Sequence, residues 1–239
     1  MVERIKITDT ISYIKASEEP LSADVGMMEG EEYLYLFDVG NGEEVAEYIN
    51  AIPKKKRVIL SHFHPDHMGN IGRIPFETVF FGVNTEKYFQ NYIANYVQER
   101  FQELPGALVK AFGDTENDRK TGFVKYETVL APVQIEDGVG ISIYPVPNSH
   151  AKGSLLLQVD GEYIFIGDSL YSKVQDNKYV YNAQLLKEEM ELLKKLPGEH
   201  IFSSHEKNPL KEKKGVVRFL EQIYEKRQKN DAYIHIDRA

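Results

Sequence analysis

Between Ser61 and Gly69 the chain reads Ser-His-Phe-His-Pro-Asp-His-Met-Gly, which sets three imidazoles and one carboxylate within residues 62–67. Imidazole nitrogen and carboxylate oxygen are the ligands preferred by zinc and related first-row metals. The stretch follows an apolar run, Arg57-Val58-Ile59-Leu60, that reads as a buried strand. Side chains alternate along extended chain, so His62 and His64 point the same way. Pro65 then turns the chain, and Asp66 and His67 can reach a second position beside the first. One short loop is therefore able to serve two metal ions.

Three further candidates occur downstream, each where a strand ends. His150 follows Ile141–Val146 after a short loop, Asp168 follows Tyr163–Gly167, and His205 follows His200–Ser203. Small residues accompany each of them: Gly153-Ser154, Gly167 and Ser169, and Ser203-Ser204. Such residues permit close backbone approach to a metal centre. His200 and His235 have no motif around them and read as structural or surface residues. Lys152, two residues past His150, is a candidate contact for an anionic group and equally a surface lysine.

The order Asp38, H-x-H-x-D-H, His150, Asp168, His205 resembles the metallo-β-lactamase superfamily. The resemblance covers nearly the whole chain, and every ligand position is filled. It implies an α/β fold of the four-layer αββα sandwich type. It also implies that His62, His64 and His150 hold one divalent metal ion and that Asp66, His67 and His205 hold another. Asp168 would bridge them, and Asp38 would brace the ligand loop through hydrogen bonds. The two ions would be zinc, with manganese or iron also compatible with an all-N/O ligand set.

The implied chemistry is hydrolysis by a hydroxide between the metals, with Asp66 and Asp168 catalytic. Within the superfamily, zinc β-lactamases typically lack the bridging aspartate and many use a cysteine ligand. This chain has the aspartate and no cysteine, so it looks closer to the glyoxalase II, lactonase and phosphodiesterase side. Gly167-Asp168-Ser169-Leu170-Tyr171 resembles the acyl homoserine lactonases, which implies Tyr171 near the substrate oxygen as a donor to a developing oxyanion. The expected substrate is a small thioester, lactone or ester, with a phosphodiester as the alternative. Mononuclear-iron persulfide dioxygenases keep similar motifs and form an alternative of another class. Flavodiiron oxygen reductases alter the first loop toward H-x-E-x-D, which this chain does not.

The elements needed to position these groups are legible in outline. Alternating and apolar segments suggest strands at 5–7, 11–13, 25–28, 33–37, 57–60, 78–81, 129–135, 140–146, 154–159, 162–166 and 199–203, with Glu18–Ser22 a loop. Asp160-Gly161 is a hairpin signal. Asn41 with Glu44 reads as a helix cap, and Pro53 ends that helix. Helical periodicity covers 84–104 and 182–196. Asn208-Pro209 reads as the start of a last helix. Tyr88, Tyr92 and Tyr96 lie on the 84–104 helix, where they pack the core or wall a cleft. Residues 105–127 are the least patterned and read as a mobile surface segment, a candidate lid.

The chain has 239 residues, 42% of them hydrophobic, and a formal net charge of −8. It is long enough for a sizeable core and reads as one domain over 1–239. The acidic balance, with Lys54-Lys55-Lys56-Arg57 as a short basic run, argues against a nucleic-acid partner. Without cysteines, disulfides and thiolate ligands are excluded. The N-terminal residues lack the apolar core of a signal peptide, and no run approaches membrane-spanning length. A cytoplasmic enzyme with a small-molecule substrate is the expectation.

Overall fold

The runs Tyr-Leu-Tyr-Leu-Phe at 33–37 and Ser-Leu-Leu-Leu-Gln-Val at 154–159 have no exposed face, and every residue of both strands is buried. Strands of this kind need cover on both sides. The computed structural model, which describes residues 2–89, 125–229 and 231–236, supplies it with two sheets packed face to face and helices outside. The first sheet runs in the order Arg4–Lys6, Ile11–Ile14, Val25–Glu29, Tyr33–Phe37, Lys55–Ile59, Thr78–Phe81, Lys125–Thr128. The second runs Val133–Glu136, Gly140–Val146, Ser154–Val159, Tyr163–Gly167, His200–Ser203, Leu210–Glu212.

Alternation then sorts the side chains into three cores. Tyr35, Phe37 and Ile59 meet Ile143, Leu157, Phe165 and Phe202 between the sheets. The intervening Leu34, Leu36 and Val58 face outward onto Val45, Ala46 and Ile49 of helix Glu43–Asn50. On the far side Leu156, Ile164 and Ile201 pack against Leu186, Met190 and Leu193 of helix Ala183–Lys195 and against Val216 and Leu220 of helix Lys213–Glu225. This is the αββα arrangement. Phe165 anchors its centre, with ring centroids 6.0 Å from Phe37 and 4.9 Å from Phe202.

Two parallel pairs position the candidate site. Tyr33–Phe37 pairs in parallel with Lys55–Ile59, and Tyr163–Gly167 with His200–Ser203. Within each pair the C-terminal ends are therefore side by side. Asp38 and the histidine loop leave the first pair, while Asp168 and His205 leave the second. His150 lies in the turn between Gly140–Val146 and Ser154–Val159, which pair antiparallel.

Several sequence expectations are corrected. The 129–135 run is not one strand: Lys125–Thr128 ends the first sheet and Val133–Glu136 begins the second, with Pro132 in the crossing. Asn41 does not cap its helix. Gly42 is the N-cap, with no side-chain cap bond, and the Asn41 amide oxygen accepts from the Gly42 N–H at 2.9 Å instead. Asn208-Pro209 leads into a strand, and the last helix starts later, at Lys213. Glu18–Ser22 holds a small hairpin. A third sheet of Lys173–Gln175, Lys178–Asn182 and Tyr233–Ile236 has no counterpart in the sequence reading. The expected 84–104 helix is described only to residue 89, with residues 83–89 helical; beyond that it lies outside the described residues, as does the expected lid up to residue 124.

Glu189 sits inside the outer core with both carboxylate oxygens buried and without a hydrogen-bond partner among the described residues. Burial raises its pKa well above the ordinary 4.5. Between the unfolded and the folded value the native state holds a proton that the unfolded chain has lost. Stability must therefore fall as pH rises through that window, by up to about 1.4 kcal/mol per pH unit. Glu189→Gln should flatten this slope and be more stable than the parent at pH 8, with little difference near pH 4. Urea midpoints across pH check it; parallel profiles for the two proteins would contradict it.

Candidate metal centre

Asp38 is fully buried and adopts a left-handed backbone conformation, φ 63°. Its carboxylate organises the histidine loop. One oxygen accepts from the Ser61 N–H at 2.7 Å; the other accepts from the Ser61 hydroxyl and from His67 Nδ1, both at 2.7 Å. The His67 proton is thereby fixed on Nδ1, and Nε2 is left with its lone pair facing the site. The Ser61 hydroxyl, having donated to Asp38, accepts from His62 Nδ1 at 2.9 Å. His62 is thus also held with Nε2 free.

The loops interlock closely. Leu155 N–H donates to the Ser61 carbonyl at 2.8 Å, tying the histidine loop to the strand after His150. Gly167, φ 53°, passes so near Ser61 that a Cβ there would lie 2.7 Å from its Oγ. Only glycine lets the Asp168 loop sit this close. On the other side of His150, Gly82 packs against the Gly153 carbonyl with no room for a side chain.

Two groups of ligand atoms result, and both include Asp168. In the first, His64 Nδ1 lies 2.9 Å from His62 Nε2 and 3.1 Å from His150 Nε2, and His150 Nε2 lies 3.4 Å from Asp168 Oδ2. In the second, His67 Nε2 lies 3.3 Å from His205 Nε2, 3.4 Å from Asp168 Oδ1 and 3.5 Å from Asp66 Oδ2. His205 Nε2 is 2.9 Å from Asp66 Oδ2. A tetrahedral site with bonds near 2.0–2.1 Å has edges of about 3.3–3.4 Å between donor atoms. The observed separations scatter around that value, so the residues fit a divalent metal.

The electrostatics agree with this fit. His62, His64 and His150 have lowered pKa values, first through burial and also through the neighbouring imidazoles, so they stay neutral with lone pairs available. Burial opposes charge on Asp66, but His205 and His67 outweigh it and bring the carboxyl down to about 2. Around His67, burial again opposes charge, yet Asp38 and Asp168 outweigh it and raise the imidazole to about 10. The field at this point favours a cation. Asp168 Oδ1 is buried and accepts no well-formed hydrogen bond among the described residues, which leaves an acceptor suited to an ion.

The ligand candidates read from the sequence, His62, His64, Asp66, His67, His150, Asp168 and His205, are thus brought together, with Asp38 beneath them. His200 lies apart, bonded to Glu162 at 2.8 Å and stacked on Tyr163; His235 and Lys152 are exposed. Tyr171 is adjacent, its ring centroid 6.2 Å from that of His150, but its hydroxyl donates to the Ser204 carbonyl at 2.8 Å. In this structure the hydroxyl proton expected to serve a substrate oxyanion is committed to that carbonyl.

Asp24 is the residue that sequence reasoning missed. It is buried, and its two oxygens accept from the Ala16 N–H and the His205 N–H, each at 2.9 Å. His205 is held with φ 64°, a strained conformation for a non-glycine residue, and the Asp24 bond helps fix it there. A carboxylate between the apolar Ala23 and Val25 was the available signal, since a buried acid needs partners.

Comparison with known proteins follows the same lines. The sequence profile of the metallo-beta-lactamase superfamily matches residues 19–205. A search of curated proteins gives no match. Among solved structures, the chain is similar to a B3 metallo-beta-lactamase with an active-site glutamic acid, with TM-score 0.61 and 13% identity over 92% of this chain and 86% of that one. It is similar to a metallo-beta-lactamase from Pontibacter korlensis, with TM-score 0.58 and 17% identity over 92% and 98%. It is also similar to the rubredoxin oxygen:oxidoreductase of Desulfovibrio gigas, with TM-score 0.64 and 13% identity over 95% of this chain but 63% of that one. At these identities the likeness is one of fold. The profile match, spanning most of the sequence and ending on His205, shows that this chain belongs to the metallo-β-lactamase superfamily.

Proposed function

We propose that the protein is a dinuclear metal-dependent hydrolase of a small ester-like substrate, a thioester, lactone or ester. The observation that carries this reading is Asp168, whose Oδ2 faces His150 while its Oδ1 faces His67. A carboxylate divided in this way suits a bridge between two cations. His62, His64 and His150 would hold one of them, and Asp66, His67 and His205 the other. Two such ions supply Lewis acidity and lower the pKa of a water held between them, which removes the need for a separate general base.

The chain's own residues do the rest. Asp38 and Ser61 keep His67 and His62 in one tautomer, so the donor set is preorganised. Asp24 holds the His205 backbone. Burial of His62, His64 and His150 keeps these three imidazoles neutral, with lone pairs available. Tyr171 stands at the edge as a wall beside His150. Because its hydroxyl is engaged by Ser204, Tyr171→Phe should change kcat by less than about three-fold, whereas an oxyanion donor would cost 10²–10³-fold. A loss of that larger size would return Tyr171 to the chemistry.

The test is initial rates of zinc- and manganese-loaded protein on a thioester, an aryl ester, an acyl lactone and a bis-aryl phosphodiester, with Asp66→Ala as blank. One ester-type substrate standing out by orders of magnitude supports the reading. Turnover of the phosphodiester alone replaces it with a phosphodiesterase. The likeness in fold to an oxygen reductase keeps an oxidoreductase as the reading of another class. A single bound iron per chain with no hydrolysis, and oxygen uptake with a persulfide, would replace hydrolysis altogether.

A further inference from the structure

Next to the metal centre is a cavity of about 420 Å³ that the donor set does not use. Leu170 and Tyr171, just past Asp168, form one wall; Val216 and Phe219 of the last helix form the other. Its size falls within the range of small-ligand pockets, about 300–1,000 Å³. One residue links it to the site: Tyr171 lines the cavity, and its ring centroid lies 6.2 Å from that of His150. Glu206, the residue after His205, stands at its rim.

The chemistry of the walls defines what they would accept. Both tyrosines that line the cavity have their hydroxyls bonded elsewhere, Tyr171 to Ser204 O at 2.8 Å and Tyr181 to Leu170 O at 2.6 Å. They therefore present ring carbon. Lys211 and Glu206 neutralise each other across 2.9 Å. The remaining charged lining residue, Glu212, is exposed and would repel an anion. Gly215 leaves the helix side open, since a Cβ there would meet nothing within 4 Å. Phe219 is 48% exposed, an apolar side chain left at the mouth.

We propose that this cavity is a tail subsite, which takes the aliphatic acyl chain of an uncharged ester or thioester whose carbonyl lies at the metal centre. The proposal rests on the hydrolase reading for the identity of that parent molecule, but the binding of the tail is measurable without turnover. Each methylene buried there is worth about four-fold in affinity.

The experiment is calorimetric titration of zinc-loaded protein with octanoate and with acetate. Any contact of the carboxylate with the metals is common to both, so their ratio reports the chain. Octanoate should bind at least about ten-fold tighter. Gly215→Phe, which fills the cavity from a position with open space, should abolish the preference. Gly215→Ala, which favours the helix and leaves the cavity free, should retain it. Equal binding of the two probes to the parent protein, or an unchanged preference in Gly215→Phe, would overturn the proposal. Hydrolysis of 4-nitrophenyl acetate and octanoate is measured alongside. Turnover of neither ester with octanoate still preferred would sink the hydrolase reading and leave the apolar subsite standing.

Discussion

Asp168→Ala should lower turnover of whichever substrate the parent accepts by roughly 10³-fold or more. Loss of residues that merely orient metal ligands typically costs 10–100-fold in affinity or activity, and Asp168 belongs to both donor groups at once. The substitution removes an oxygen from each and leaves their histidines less completely compensated, since Asp168 contributes to the field that favours charge at His67. Metal content should fall along with rate, which inductively coupled plasma analysis checks after dialysis against dilute zinc. Asp168→Asn keeps the shape and supplies a neutral oxygen to one group only. It should recover part of the metal content but little of the rate. Full metal content with near-parental kcat in the alanine variant would show that the shared carboxylate is not a bridge.

Gly167→Val should be nearly as damaging, through packing. The position needs φ near 53°, which costs a β-branched residue about 1–2 kcal/mol. Its Cβ would fall 2.7 Å from Ser61 Oγ and 2.8 Å from Ser61 Cβ. Ser61 cannot yield, because Asp38 holds both its N–H and its hydroxyl at 2.7 Å. Adding about 1–3 kcal/mol for overpacking, the total is about 2–5 kcal/mol. Urea unfolding should show the loss as a lower midpoint, together with weaker zinc binding as the Asp168 loop is pushed from the histidine loop. An unchanged midpoint would mean that the two loops are not tightly coupled. Gly167→Ala, with the same backbone cost but a smaller side chain, should fall between the parent and the valine variant.

The candidate site was far more legible in the sequence than the fold that carries it. Ligand chemistry is restricted to a few residue types, and His62 through His67 concentrate them within one loop, so little besides a metal explains the pattern. Strands buried on both faces were equally clear, because 33–37 is continuously apolar and 155–157 is a run of three leucines. What failed was punctuation. Pro132 interrupts an apolar run that crosses from one sheet to the other, and periodicity cannot see a change of sheet. Asn41 and Asn208 have the composition of caps, but their positions are decided by tertiary contacts: Asn41 N–H donates to Ser22 Oγ at 2.9 Å, and residues 210–212 are drawn into pairing with His200–Phe202. Asp24 was missed for a related reason, since its partner at the site, the His205 N–H, is 181 residues away and no spacing rule reaches it.

That remoteness has a kinetic side. The bond from the His205 N–H to the Asp24 carboxylate joins positions 181 residues apart. Non-local pairings form late, after the entropy of closing the intervening chain has been met. The histidine loop and its parallel partner strand, by contrast, lie within a few dozen residues of each other. During synthesis or refolding, Asp66 and His67 should therefore be in place before His205 arrives to complete their group. A cation that prefers the finished group draws nearly folded chains to the native state by mass action, so occupancy there becomes a readout of finished folding. Refolding yield should then depend on metal in the buffer, even at denaturant concentrations where the native protein tolerates a chelator.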